Sequence, residues 1–346
     1  MSKKGLYIYG IINSNAKKQF DCSGLTHGET VYTIPYQDIA AVVSDSKIID
    51  GARNKDSIIK QLVAHQMVIE TVMADHTVIP MKLNLFALDE KEVREILNRG
   101  YKLIGDIFEK TKNKIEMDLA VTWSDFDLFL KNLGEEKELK DSKDKFLAAP
   151  KTNIEDKQIE IGALVQKKMD EKRKKIALEI EDYLKNFYKD FKVNELLDDR
   201  TIASMAFLID KELLEDFYEN IELLDTHFAS TLNFRCVGPL PTYSFYTLEV
   251  KKMMFEEIDM ARKTLCLGEI TTKDQLAKAY REKAASSHPD KNPDKPGIEK
   301  VFDKIVAARA TIVDYCKACE QAGQSNNYIF NKEEFRKNSI LVKLKG

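Results

Sequence analysis

Between residues 131 and 200 the chain carries 17 Lys/Arg and 17 Asp/Glu, so 34 of 70 positions are charged. The stretch differs in character from what precedes and follows it, and charges of both signs around a helical pattern read as a long helix with a solvated face. At roughly 100–200 residues per domain, 346 residues predict two or three domains. Hydrophobic residues at 43% are enough to fill cores, which argues against a disordered chain. The net charge of −3 supplies no basic field for nucleic acid or anionic lipid. No apolar run reaches the length of a spanning helix, so no membrane partner is expected. The opening MSKKGLYIYGII reads as a first strand, not a signal peptide, because tyrosines interrupt a short apolar run.

Residues 1–125 read as α+β. Leu6–Ile12 is a buried-strand pattern, and Val31–Ile34 and Ile39–Val43 are further strands. Asp56 is placed to cap a helix from Ser57 whose apolar residues recur from Ile58 to Met73. Thr77–Phe86 reads as a strand through Pro80, a proline that suggests an edge or a strand start. Asp89 and Glu92 open a helix with one apolar face, and Lys114–Trp123 closes the unit as a strand. Residues 126–252 form a second α+β unit. It has a loop around Pro150, a long charged helix over Ile159–Tyr188, a strand at Thr201–Ile209, a helix at Lys211–Leu224 and a strand at Phe228–Val237. The stiff turn Gly238-Pro239-Leu240-Pro241-Thr242-Tyr243-Ser244-Phe245 follows. Residues 253–322 read as a small helical domain and 323–346 as a tail. In that tail Ile340–Leu344 is either a strand or disordered.

Catalytic constellations are absent from the pattern. Gly-rich phosphate loops and nucleophile elbows do not occur. His65 and Glu70 stand about 140° apart on a helix, a poor geometry for two ligands. His76, Asp75, His227 and Arg235 occupy turn or strand positions with ordinary structural roles. Cys316 and Cys319 form one CxxC with no second pair, short of the four ligands zinc takes. The expectation is therefore no enzyme, no cofactor and no metal.

Two groups of motifs carry a resemblance. The GLYIYGI strand, the helix LVAHQMVIETVM followed by TVIPMKL, and FRCVGPLPTYSF occur in order within residues 1–252. Together they resemble the gas vesicle protein F/L family, with Gly238, Pro239, Pro241, Tyr243, Ser244 and Phe245 as the family turn. That resemblance implies two α+β domains, the first ferredoxin-like. It also implies an assembly or minor structural role at a cytoplasmic gas vesicle, in contact with the major shell protein and other vesicle proteins.

The second group is AYREKAASSHPDKNPD, followed by the stripe Phe302, Ile305, Ala308 and Ile312. Over residues 256–320 it resembles the J-domain, which engages DnaK-type chaperones. A helix over Ile258–Leu267 would be its first, and Thr272–Ser286 its second. The resemblance assigns chaperone binding to His288, Pro289 and Asp290, assisted by the basic Lys278, Arg281, Lys283 and Lys291. Two departures stand out. Lys283 replaces a usual leucine and Ser287 a usual aromatic, which makes two core positions polar. Glu282 and Ser286 thin the basic face. Three readings follow: a vesicle assembly protein that recruits a chaperone, a structural vesicle component whose J-like part only packs or binds, and a general J-protein.

Overall fold

The computed structural model describes residues 4–25, 28–47, 55–148, 154–196, 198–229, 231–324 and 326–345. The loop expected around Pro150 lies outside them. The chain divides into two compact units, residues 1–110 with 246–346, and residues 111–245.

The first unit begins with β1 (Lys4–Ile12), β2 (Gln19–Ser23), β3 (Thr30–Tyr36), β4 (Ile39–Lys47), α1 (Lys55–Met73), β5 (Val78–Pro80), β6 (Phe86–Ala87) and α2 (Glu90–Thr111). The strands form one antiparallel sheet ordered β2-β3-β4-β1-β5, with β6 also on β1. The apolar run of β1 is buried along its length because it lies inside the sheet with helices packed on it. The single strand expected over Thr77–Phe86 is broken into β5 and β6, with the backbone at Asn84 in the left-handed region.

One face of this sheet packs on α2. Leu6, Ile8, Ile11, Ile34 and Val43 meet Val93, Ile96, Leu97, Ile104 and Ile107 in one core. The capping residues of α2 act as the sequence indicates: Asp89 accepts from the Glu92 amide (2.9 Å), and the Glu92 carboxylate accepts from the Leu88 amide (2.6 Å). Helix α1 also contacts β1, β2 and β5. Gly10 permits that approach, since a Cβ there would sit 3.0 Å from Ile69. Helix α1 is unusual in burying Gln61 and His65 together with Val68, Ile69 and Val72, while Ile58, Ile59, Leu62, Val63 and Met67 stay exposed. Apolar residues occur on both sides of this helix, so its periodicity does not say which side faces inward.

The second unit contains β7 (Lys114–Trp123), α3 (Phe126–Gly134), α4 (Lys137–Ala148), α5 (Ile154–Leu184), β8 (Asp190–Val193), β9 (Thr201–Asp210), α6 (Leu214–His227), β10 (Leu232–Leu240) and α7 (Tyr243–Tyr246). Its antiparallel sheet runs β10-β7-β9-β8. Numbered within the unit, that is strand order 4-1-3-2 of a βαββαβ chain, the ferredoxin-like arrangement. The two-part α+β architecture stands, but this order, expected of the first part, is found in the second. The first sheet has a different order. Lys114–Trp123 is likewise corrected: it does not close the first sheet but lies at the centre of the second, where β9 and β10 satisfy both of its edges. The charged segment is ordered as α4 and α5, which pack with α3 through Leu133, Leu139 and Met169.

Residues after 246 return to the first unit as β11 (Leu248–Lys252), α8 (Phe255–Thr264), β12 (Ile270–Thr271), α9 (Lys273–Ser286), a 3₁₀ turn at Pro289–Lys291, α10 (Ile298–Gln321), β13 (Tyr328–Ile329), α11 (Lys332–Lys337) and β14 (Ile340–Leu344). The helical module is thus laced by short strand pairs: β12 with β13, and β11 with β14. The tail is a strand. Val342 and Ile340 enter the α2 core, and Gly100 makes room, since a Cβ there would sit 2.9 Å from Val342. The outer edge of β14 is satisfied by Gln321, whose side-chain oxygen accepts the Val342 amide (3.0 Å) and whose nitrogen donates to the Val342 carbonyl (2.5 Å). Arg99 of α2 donates to the Lys337 carbonyl.

Candidate functional site

The HPD segment connects α9 to α10. Helix α9 starts at a complete capping box: Thr272 Oγ1 accepts the Gln275 amide (3.2 Å), and Gln275 Oε1 accepts the Thr272 amide (2.9 Å). Leu276 anchors the helix in a core with Ile258, Ala261, Leu265, Ile305, Ala308 and Ile312. The loop is then closed by its own bonds. His288 Nδ1 accepts the Asp290 amide (3.2 Å), and its ring stands edge-on to Phe302 with centroids 5.3 Å apart. Asn292 Nδ2 donates to the carbonyls of Ser286 (3.0 Å) and His288 (3.1 Å), tying the end of α9 to the loop. With Nδ1 occupied as an acceptor, the neutral ring carries its proton on Nε2. The Asp290 side chain is 87% exposed, so its carboxylate is presented to solvent.

Asn292 was not singled out by sequence reasoning, although a turn-forming asparagine directly after HPDK was a readable signal. Arg309 also went unread; its guanidinium lies 4.7 Å from the centre of the Tyr280 ring. Lys278, Arg281 and Lys291 are exposed. Lys283 and Ser287, expected as polar intrusions into the core, are half-buried. A lysine tolerates that position by laying its stem along apolar surface while its ammonium stays in water. Among the described residues none of Lys278, Arg281, Lys283 and Lys291 forms an ion pair, and Arg281 Nε donates to the Ala277 carbonyl (3.3 Å).

The family turn sits in the other unit. A side chain at Gly238 would collide with the Met117 sulfur, and the Gly238 carbonyl accepts the Tyr218 hydroxyl (3.0 Å). Pro241 and Phe245 are buried, Pro239 is exposed, and Tyr243 is half-buried. Ser244 donates twice to Glu116 of β7, through its amide (2.8 Å) and its hydroxyl (2.7 Å). Lys192 donates to the Ser244 carbonyl (2.6 Å) and lies over the Phe245 ring. The polar groups of Ser244 are thus spent inside the unit.

Glu116 is 1% exposed, and burial raises its pKa, with the neighbouring Asp118 adding to the effect. A raised folded pKa stabilises the fold fully only below the unfolded value near 4.5, and that contribution is lost as pH rises through the folded value. Glu116→Gln is expected to flatten this alkaline decline in urea-unfolding curves. Glu116→Ala, which strands both Ser244 donors, is expected to cost about 2–3 kcal/mol at pH 5.

The remaining residues weighed from sequence do not converge. His65 is buried on the inward side of α1, His227 pairs with Glu179 (3.3 Å), Lys18 and Asp75 form an ion pair (2.9 Å) beside His76, and Arg235 is exposed on β10. Cys316 and Cys319 are buried in α10, and desolvation raises both thiols, to about 12 and about 11. Among the described residues no three His, Cys, Asp or Glu side chains gather to hold a metal ion, and no helix is long and apolar enough to cross a membrane.

Residues 5–247 match the family model described as gas vesicle synthesis protein GvpL/GvpF. The chain belongs to the GvpL/GvpF family. A DnaJ domain model matches residues 263–318 as well. Gas vesicle protein F of Dolichospermum flosaquae is 22% identical over 250 residues, covering 70% of this chain and 98% of that protein. Gas vesicle protein F1 of Halobacterium salinarum is 23% identical, covering 71% and 95%. The crystal structure of the gas vesicle protein GvpF from Anabaena sp. PCC7120 superposes with a TM-score of 0.60 at 22% identity, over 71% of this chain and 99% of that one. The GvpF structure from Microcystis aeruginosa gives 0.59. The GvpL/GvpF match thus takes in the first sheet with α1 and α2 and the whole of the second unit, and the J-domain match follows it.

Proposed function

We propose that this GvpL/GvpF protein assists gas vesicle assembly by binding vesicle components, the major shell protein among them. Its J-domain would recruit a DnaK-type chaperone to the same place. The observation that carries this reading is the HPD loop itself, held by Asn292 and Phe302 with the Asp290 carboxylate in solvent. In this reading His288, Pro289 and Asp290 make the contact. Lys278, Arg281, Lys283 and Lys291 steer an acidic partner surface, which raises encounter rate more than affinity. A shell subunit that is small, hydrophobic and prone to aggregate gains from a chaperone held nearby, because linking the two makes the second encounter intramolecular. The pairing of β11 with β14 supports a firm mounting of the J-domain on the first sheet, as opposed to a loose tether.

A pull-down from the native host with wild type and His288→Gln, paired with a chaperone ATPase assay, tests this. Shell proteins should appear with both forms. The chaperone and the ATPase stimulation should be lost in the variant with no change in Tm. A second reading is a structural vesicle component whose J-domain only packs or binds, and the polar Lys283 and Ser287 favour it. Shell proteins without chaperone or ATPase stimulation in the wild type would select that reading. Absence of every vesicle protein would defeat both.

A further inference from the structure

We propose that the outward face of α1 is a self-association surface that pairs two copies of this chain as antiparallel helices. Ile58, Ile59, Leu62, Val63 and Met67 are between 41% and 61% exposed. At 3.6 residues per turn they share one side of the helix with Lys55 toward its start and Glu70 toward its end. The patch they form is on the order of 400 Å², within the range that marks interaction sites on soluble proteins. Within the described residues neither Lys55 nor Glu70 belongs to an ion pair, and Glu70 accepts only from Gln66 of its own helix (2.8 Å).

The face is complementary to itself. A two-fold axis crossing α1 between Leu62 and Val63 sets Leu62 of one copy against Val63 of the other. The same axis sets Ile58 against Met67 and Lys55 against Glu70. Such an isologous contact closes at two copies. A parallel pairing would instead oppose Lys55 to Lys55 and Glu70 to Glu70. A different apolar partner would cover the five side chains but leave the two end charges unmatched unless it carried the opposite pair at the same spacing. The total buried area, on the order of 900 Å², lies at the small end for specific contacts, so the dimer is a concentration-dependent one.

Sedimentation velocity on the full chain, from low to high micromolar, is the test. The wild type is expected to shift from monomer to dimer, and Leu62→Asp to remain monomeric. Lys55→Glu or Glu70→Lys alone should weaken association about tenfold, since each single reversal repels at both ends of the pair. The double variant Lys55→Glu with Glu70→Lys should restore it. All of these positions are exposed, so unfolding does not confuse the reading, and circular dichroism of each variant checks this. A wild type that stays monomeric at every concentration overturns the proposal. So does a double variant no better than the singles. So does a monomeric wild type whose α1 face, mutated at Leu62, loses another vesicle protein in a pull-down, because the face then belongs to that partner.

Discussion

A chain ending at Gln324 is expected to lose its C-terminal module as a folded unit. The residues removed include Tyr328, Phe330, Phe335, Ile340, Leu341 and Val342, all buried. At about 1.5–3 kcal/mol per buried large side chain the loss is on the order of 10 kcal/mol, more than a module of this size holds in reserve. Tyr315 would also lose the Ile329 carbonyl that accepts its hydroxyl (2.7 Å), and β11 would lose its only strand partner among the described residues. Hydrogen exchange should show the amides of α8 and α10 unprotected, while β7 and β9 of the second unit keep wild-type protection. Unchanged protection in α10 would mean that the three helices suffice and the tail is an accessory. Val342→Asp, a milder change at the contact with Gly100, should loosen β14 before it unfolds the helices.

The second large effect is acid sensitivity at His65. Its side chain is 3% exposed, its Nδ1 lies 2.9 Å from the Tyr7 hydroxyl, and that hydroxyl accepts the Asn84 amide (3.3 Å). Burial lowers its pKa from 6.5 to about 4. The unfolded chain therefore binds a proton that the folded chain refuses. The stability concerned is complete above pH 6.5 and is lost as pH falls toward 4, by about 3 kcal/mol in all. His65→Leu should remove this acid limb: the difference in unfolding free energy between variant and wild type should move in favour of the variant by that amount between pH 7 and pH 4. A constant difference would place the acid sensitivity elsewhere. Glu116 works in the opposite sense, losing its contribution as pH rises, so the two sites bracket a range of greatest stability.

What local pattern encodes, the sequence shows. The apolar run of β1, the stripe of α2, the alternation of β7 and the sequence from Thr272 through HPD to Ile312 each declare their own period or turn chemistry, and each forms the expected element. The boundaries that shifted, such as β10 starting at Leu232 and α6 running on to His227, lie in the short connection between the two elements, where neither period is decisive.

Pairing and facing are decided only by the tertiary structure. Strand β7 reads equally well as the last strand of one sheet or the first of another. It joins the second because β9 and β10 satisfy both its edges and bury its Met117 and Leu119. Helix α1 has apolar residues on two sides, and its inward side is chosen by Gly10 and by the Tyr7 hydroxyl that meets His65. Glu116 and Ser244 stand 128 positions apart, so nothing local announces their contact. The tail is a strand because β11 offers it an unpaired edge and Gly100 leaves a space that Val342 enters beside Ile104. A period along the chain states which residues share a face; it carries no information about the surface that face will meet.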